Sequence, residues 1–258
     1  MNKKYFRPKQ TICLAALTQL PPLIRTIHHS LKRKTAFTLA EVLITLGIIG
    51  VVAALTLPVI TEHHNKKVVE SRLKKVYSTM NQAISMAELD YGERETWFEH
   101  LSNKDEQKVW IEKYILPYFK YDKFSEVRLV GASFNAIYFA DGSVLVKAPA
   151  NSRDWFFFVG NIDKCIKSPA NPYRDFVGKC AYAFYYNPIF IRNSDWSKTF
   201  NTYGSGWIIL GNNPEEVLKY NESFGCYAQG RSTHGFCSAL IQHNGWKIPD
   251  DYLYRVHY

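Results

Sequence analysis

The fold is decided by FTLAEVLITLGIIGVVAALTLPVI, residues 37–60, which joins one acidic residue to a long apolar run. The nineteen residues from Val42 to Ile60 carry no charge, and a helix of that length spans roughly 28 Å. The hydrocarbon core of a bilayer is about 30 Å thick, so the run predicts a membrane-spanning helix. The alternative is a buried core helix, which seldom reaches this length without a polar face. Glu41 is therefore unexpected, because a carboxylate in hydrocarbon costs about 2.5–3.5 kcal/mol.

The basic excess of the chain lies at its N-terminal end. The net charge is +9, and residues 1–36 hold eight basic side chains and no acidic one. From residue 37 onward 24 basic residues face 23 acidic ones, so this part is nearly neutral. A basic segment directly before an apolar run is the positive-inside signal, which keeps that end in the cytoplasm. The charge thus indicates membrane orientation and speaks only weakly for a nucleic-acid partner.

The stretch KRKTAFTLAEVLITLGIIGVVAALTLPVI, residues 32–60, resembles the prepilin-type cleavage and methylation segment of type IV prepilins and type II secretion pseudopilins. The resemblance implies that residues 1–36 are a leader peptide, removed between Ala36 and Phe37. Phe37 is then the methylated first residue of the mature chain. Ala36 stands where the family usually has glycine, so a small residue is retained before the cleavage point.

Three further residues match the same motif: Glu41 is the acidic residue, Gly50 a helix-loosening glycine and Pro58 the kink proline. Cleavage creates an α-amino group at Phe37, which lies one helical turn from Glu41. In a stack of helices the amine of one subunit can meet the Glu41 carboxylate of its neighbour. Pairing is the condition under which a charge persists in an apolar core, so the resemblance predicts an assembly role for Glu41.

A helical pattern continues beyond the apolar run. Pro58 removes one backbone hydrogen bond, which predicts a kink and not a stop. Beyond Pro58, apolar residues recur at three- and four-residue steps, which is typical of an amphipathic helix. One helix is therefore predicted from about Phe37 to Leu89, with its first half in the membrane and its second half packed on the head. The members of this apolar stripe are Val69, Leu73, Val76, Met80, Ala83, Ile84 and Ala87. A second helix is predicted around Lys104 to Phe119, with Pro117 near its end.

The pattern then changes to one typical of strands. Asp141-Gly142 is a strong hairpin signal. The candidate strands are VRLVG (127–131), NAIYFADGSVLVKAP (135–149), WFFFVGN (155–161), AYAFYY (181–186) and GWIILG (206–211). One long helix followed by mostly antiparallel sheet predicts the α+β class. The predicted divisions are a leader (1–36), a transmembrane and assembly helix (37–60) and a pilin-like head (61–258).

Five cysteines follow the same division. Cys13 lies in the basic segment, and Cys165, Cys180, Cys226 and Cys237 lie beyond the apolar run. If that run crosses a membrane with its N-terminus inside, the four distal cysteines reach an oxidising compartment. Four cysteines allow three connectivities, among which the sequence does not decide. We favour the two local loops, 165–180 and 226–237, with buried free thiols as the alternative.

The sequence predicts no catalytic site, metal or cofactor, since HExxH, GxSxG and CxxC patterns are missing. The resemblance implies a structural subunit of the bacterial cytoplasmic membrane, single-pass with its head outside the cytoplasm. Its partners are then the membrane, a prepilin peptidase, homologous pilin subunits, and an assembly platform and motor.

Two alternatives remain open. The first is a minor pilin or competence-type pseudopilin whose head binds DNA or another surface ligand. The near-neutral charge after residue 36 does not favour nucleic acid, whose binding depends largely on phosphate neutralisation. The segment CYAQGRSTHGFC (226–237), which contains Arg231, His234 and no acid, keeps this version open. The second alternative is an uncleaved single-pass protein with an unrelated external domain.

Overall fold

The computed structural model of the 258-residue chain describes residues 37–97, 103–148, 152–166, 172–188, 199–206 and 213–258. It divides into two units, Met1–Ile48 and Ile49–Tyr258. The predicted leader, with Cys13 and Ala36, and all but the first residue of the predicted strand 206–211 lie outside the described residues.

The long N-terminal helix is present. Helix α1 runs from Leu39 to Tyr91, 53 residues, and continues through Pro58. The other helices are α2 (Lys104–Tyr114), α3 (Ile162–Cys165), α4 (Pro214–Tyr220) and α5 (Cys237–His243). Helix α2 starts where the sequence predicts but ends five residues earlier. Pro117 lacks an N–H and disfavours α geometry in the residue before it, so the chain turns into a short 3-10 segment, Leu116–Tyr118.

Six strands form one sheet in sequential order, and each is antiparallel to its neighbour. The strands are β1 (Lys123–Leu129), β2 (Ala132–Tyr138), β3 (Val144–Lys147), β4 (Asp154–Phe158), β5 (Ala181–Tyr186) and β6 (Phe200–Thr202). The predicted turn at Asp141-Gly142 joins β2 to β3, with Gly142 at φ 79°. The α+β architecture expected from the sequence is therefore confirmed.

The two faces of the sheet are covered by different parts of the chain. Strand residues alternate between faces, so Trp155 and Phe157 of β4 lie on one side and Phe158 on the other. The first face packs against the apolar stripe of α1, whose seven predicted members are all buried. The second face is covered by α3 and the chain leading into β5, including Ile162 and Phe176. The amphipathic part of α1 thus forms one wall of the main core.

The β1–β2 connection is a two-residue turn, so the prediction of a strand through residues 130 and 131 is wrong at that end. Leu129 pairs with Ala132, and Val130 and Gly131 between them have φ of 49° and 78°. Two positive φ values are typical of a type I′ turn, for which Asn-Gly is the common sequence. Val130 is β-branched, so it provides no turn signal and occupies a left-handed conformation unfavourable to it.

Candidate assembly site on the N-terminal helix

The first part of α1 exposes an apolar surface. Phe37 is 85 % exposed and Leu55 72 %, and most other large apolar side chains up to Ile60 are exposed to a similar degree. An 18-residue window of α1 has a mean hydropathy of 2.5 and is not buried at all. In the described part of the chain, α1 is the one helix long and apolar enough to cross a membrane. Because water does not favour so large an apolar surface, this segment belongs in a bilayer or a protein contact.

Glu41 forms a reciprocal cap at the start of α1. Its Oε2 accepts hydrogen bonds from the Thr38 backbone N–H (2.8 Å) and hydroxyl (2.9 Å), while the Glu41 N–H donates to Thr38 Oγ1 at 3.2 Å. This is the capping box of the pattern Thr-x-x-Glu, which satisfies N–H groups that no helical carbonyl can reach. The TLAE sequence carries this signal, although no cap was predicted for Glu41.

The cap leaves part of the carboxylate unused. Both bonds from Thr38 end on Oε2, and within the described residues Oε1 has no hydrogen-bond partner. A second donor can therefore approach Glu41 without disrupting the helix start. The cap accounts for the position of Glu41 in one chain and remains compatible with a contact to another chain.

Gly50 and Pro58 both lie on the exposed part of α1. A Cβ on Gly50 would meet no atom within 4 Å. Near Pro58, the Thr61 hydroxyl donates to the carbonyls of Leu57 and Pro58, both at 2.9 Å. Such hydroxyl bonds back to the helix often accompany bending. The kink itself remains a prediction, as do the roles of both residues in assembly.

The later part of α1 is fixed to the sheet by polar contacts beside the buried stripe. Arg72 donates to the carbonyls of Val159 and Asp141, and Glu70 pairs with Lys247 at 2.9 Å. Asn81 donates to the Phe200 carbonyl (2.7 Å) and accepts from its N–H (3.0 Å). The Asn81 amide thereby satisfies both backbone groups of Phe200 at the outer edge of β6, which no further strand pairs among the described residues.

Two disulfides constrain the head, Cys165–Cys180 and Cys226–Cys237, and these are the local loops that the sequence analysis favours. Cys226 and Cys237 are fully buried in the main core, whereas Cys165 and Cys180 belong to the core on the second face. The Arg174 guanidinium also links the two loops by donating to the Gly230 carbonyl at 3.1 Å.

The loop closed by Cys226 and Cys237 has one exposed cation. Arg231 is exposed, whereas His234 is half-buried with Nε2 3.3 Å from the Ala228 carbonyl oxygen. Burial lowers the pKa of His234, so its ring is neutral at pH 7. The loop therefore presents a single permanent positive charge, less than phosphate binding usually requires. No cluster of three or more metal-ligating side chains occurs in the described ranges.

The methylation motif at the start of the apolar helix supports the class: a type IV pilin or pseudopilin-type subunit. The family model described as "Prokaryotic N-terminal methylation motif" matches residues 31–57. The model described as "Family of unknown function (DUF6613)" matches residues 59–256, most of the chain, and the protein belongs to that family. No curated protein and no solved structure matches this chain. The motif and the long apolar helix fit a structural subunit that is anchored in a membrane.

Proposed function

We propose that this protein is a structural subunit of a type IV pilus or a type II secretion-like pseudopilus, processed between Ala36 and Phe37 and assembled through α1. The observation that carries the proposal is the methylation motif placed directly on an exposed apolar helix segment. Prepilin peptidase, homologous subunits and an assembly platform with its motor are then its partners. The two disulfides support a head outside the cytoplasm, because such bonds persist in oxidising compartments.

Glu41 has two roles in this proposal. Within one chain it caps α1 through Thr38, and between chains its free Oε1 receives the α-amine of a neighbouring Phe37. An ion pair buried between apolar helices requires both partners, since an unpaired buried charge is strongly destabilising. Correct stacking therefore satisfies the carboxylate, whereas misaligned stacking leaves it unpaired.

Two variants separate the roles. Gln replaces Glu in natural capping boxes, so Glu41→Gln keeps the cap and removes the charge. Thr38→Ala removes the cap partner and keeps the charge. We expect Glu41→Gln to insert and fold normally but to yield few sheared surface fibres, while Thr38→Ala still assembles. Normal fibre yield from Glu41→Gln would overturn the assembly role.

Processing is tested separately on the mature wild-type protein. Terminal sequencing and mass spectrometry should return N-methylphenylalanine followed by Thr-Leu-Ala-Glu. An uncleaved chain, or one without methylation, would contradict the proposal. A salt-dependent gel shift tests the DNA-binding alternative, for which the charge of the described head gives little support.

A further inference from the structure

A cavity of about 270 Å³ lies on the second face of the sheet, away from α1. Phe156 of β4 and its partner Ala183 of β5 form part of its lining. Ala183 alternates with Tyr182 and Phe184, which lie in the main core, so its side chain points to the opposite face. Because that side chain is a single methyl group, room for a ligand remains above the two strands.

Four aromatic rings contribute to the lining of this cavity. Tyr173 stacks on Phe156, with ring centroids 4.9 Å apart and planes inclined by 16°. Tyr203 packs edge-on against Phe224, with ring centroids 5.5 Å apart. All four side chains are half-buried, although each belongs to the interior of the head. Because the rings contact one another in pairs, they hold their positions without a ligand.

Asp154 is the one charged side chain among the described residues that line the cavity. It lies two positions before Phe156 in β4, so both side chains are on the same face of the sheet. Burial raises the pKa of Asp154, which shows that its charge is poorly solvated. Burial also raises the pKa values of Tyr173 and Tyr203, and the nearby Asp154 charge raises both further. The carboxylate therefore lies beside two of the aromatic rings.

The charge of Asp154 is not neutralised by direct contact with a cation of the described chain. Asp154 forms no ion pair with any residue that the structure describes. The Lys147 ammonium instead donates to the backbone carbonyls of Ser152 and Asp154. Burial lowers the pKa of Lys147 to about 7, so this side chain is mostly neutral at about pH 8. The Arg153 guanidinium donates to the Tyr185 hydroxyl at 3.3 Å. The cavity thus combines an unpaired carboxylate with aromatic walls.

This lining favours one class of ligand over the others. An anion would be repelled by Asp154, and a neutral apolar ligand would leave the carboxylate desolvated and unpaired. A hard metal ion requires several oxygen ligands, whereas the described ranges contain no group of three metal-ligating side chains. A primary ammonium requires acceptors for three N–H groups. A trimethylammonium group has no N–H, and its methyl groups can contact aromatic faces, where cation–π attraction stabilises the charge.

We propose that the cavity binds a trimethylammonium group, with Asp154 opposite its charge and the four aromatic rings around its methyl groups. Sites that enclose drug-sized ligands begin at about 300 Å³. A cavity of about 270 Å³ therefore accepts a small ligand or the head group of a larger one. The head then has a binding activity of its own, which does not depend on assembly through α1.

Isothermal titration calorimetry of the full chain in a non-ionic detergent, at about pH 8, tests the site with choline chloride as the probe. Tetramethylammonium should bind with similar affinity. Dimethylbutanol, the neutral carbon analogue of choline, should bind about tenfold more weakly because it lacks the charge. Phosphocholine distinguishes the two sources of the same group: tighter binding than choline identifies a phosphorylated head group, and weaker binding identifies a free ligand.

Two pairs of variants assign the binding to the charge and to the rings. Asp154→Asn keeps the shape of the side chain and should weaken choline binding about tenfold. Asp163→Asn, the same change at an exposed carboxylate on α3, is the matched control and should leave the affinity unchanged. Tyr203→Leu should weaken binding about fivefold, whereas Tyr203→Phe keeps the ring and should bind as the wild type does. Tryptophan fluorescence checks that each variant is folded.

Several results would overturn the proposal. They are the absence of choline binding by the wild type, equal binding of dimethylbutanol, and an unchanged affinity in a folded Asp154→Asn variant. Tighter binding of butylammonium, which has the structure of a lysine side chain, would assign the cavity to a protein partner and refute the ligand class. Because burial of the charged Asp154 is unfavourable, asparagine should not destabilise the head, and the variant remains a valid test.

Discussion

Replacing Leu73 and Leu55 by alanine, one at a time, compares the two environments of α1 with the same chemical change. Leu73 is fully buried against the sheet, whereas Leu55 lies in the apolar segment and is 72 % exposed in the single chain. Buried Leu→Ala substitutions cost about 2–5 kcal/mol, because transfer free energy is lost and a cavity remains. We therefore expect Leu73→Ala to destabilise the head by about 3 kcal/mol. Leu55→Ala should leave head stability unchanged.

Tryptophan fluorescence of the full chain in detergent micelles measures this difference. All six tryptophans lie after residue 96, and Trp110 and Trp155 are buried in the same core as Leu73. For a domain of this size 1 kcal/mol corresponds to about 2–4 °C in Tm, so Leu73→Ala should lower the midpoint by about 6–12 °C. Equal midpoints for the two variants would refute the division of α1 into a head-packing part and an apolar part.

Three further predictions concern the head. Replacing Cys226 and Cys237 by alanine should cost about 3 kcal/mol, seen as a lower denaturant midpoint, since their loop spans 11 residues. Burial lowers the pKa of Lys147 from 10.5 to about 7. Between pH 7 and 10.5 the unfolded chain therefore binds more protons than the folded chain, so the free energy of unfolding should rise with pH across this range. Lys147→Met should flatten that rise in urea titrations at several pH values. Val130→Asn should raise Tm through about 1 kcal/mol of relieved strain.

Local pattern was sufficient for the main helix and for the hairpin of β2 and β3. The charge-free run and the three- and four-residue spacing identify α1 through Pro58, because each signal depends only on neighbours in the chain. Asp141-Gly142 likewise marks its own turn, since glycine adopts φ 79° without steric cost. The motif around Phe37 is also local, and it indicated the class of protein without any tertiary contact.

Contacts between residues far apart in the chain determined the elements that the local sequence pattern does not predict. β6 has three residues and no period of its own, and it is held by pairing with β5 and by Asn81, 119 residues away in the chain. The turn at Val130 exists because β1 and β2 pair around it, against the preference of its own residue. The four distal cysteines allow three pairings, and the folded core determines which of the three forms, because it decides which cysteines lie close together.

The sequence by itself determined that this chain has a pilin-type anchor, a long two-part helix and an α+β head, because hydrophobic period and charge placement are local properties. Only the tertiary structure showed that Thr38 caps α1 through Glu41 and that the cap leaves one carboxylate oxygen unused. It alone also showed which charges on α1 the head pairs, such as Glu70 with Lys247 and Glu88 with Arg94. Pairing depends on distances between residues far apart in the chain, and those distances are set by packing.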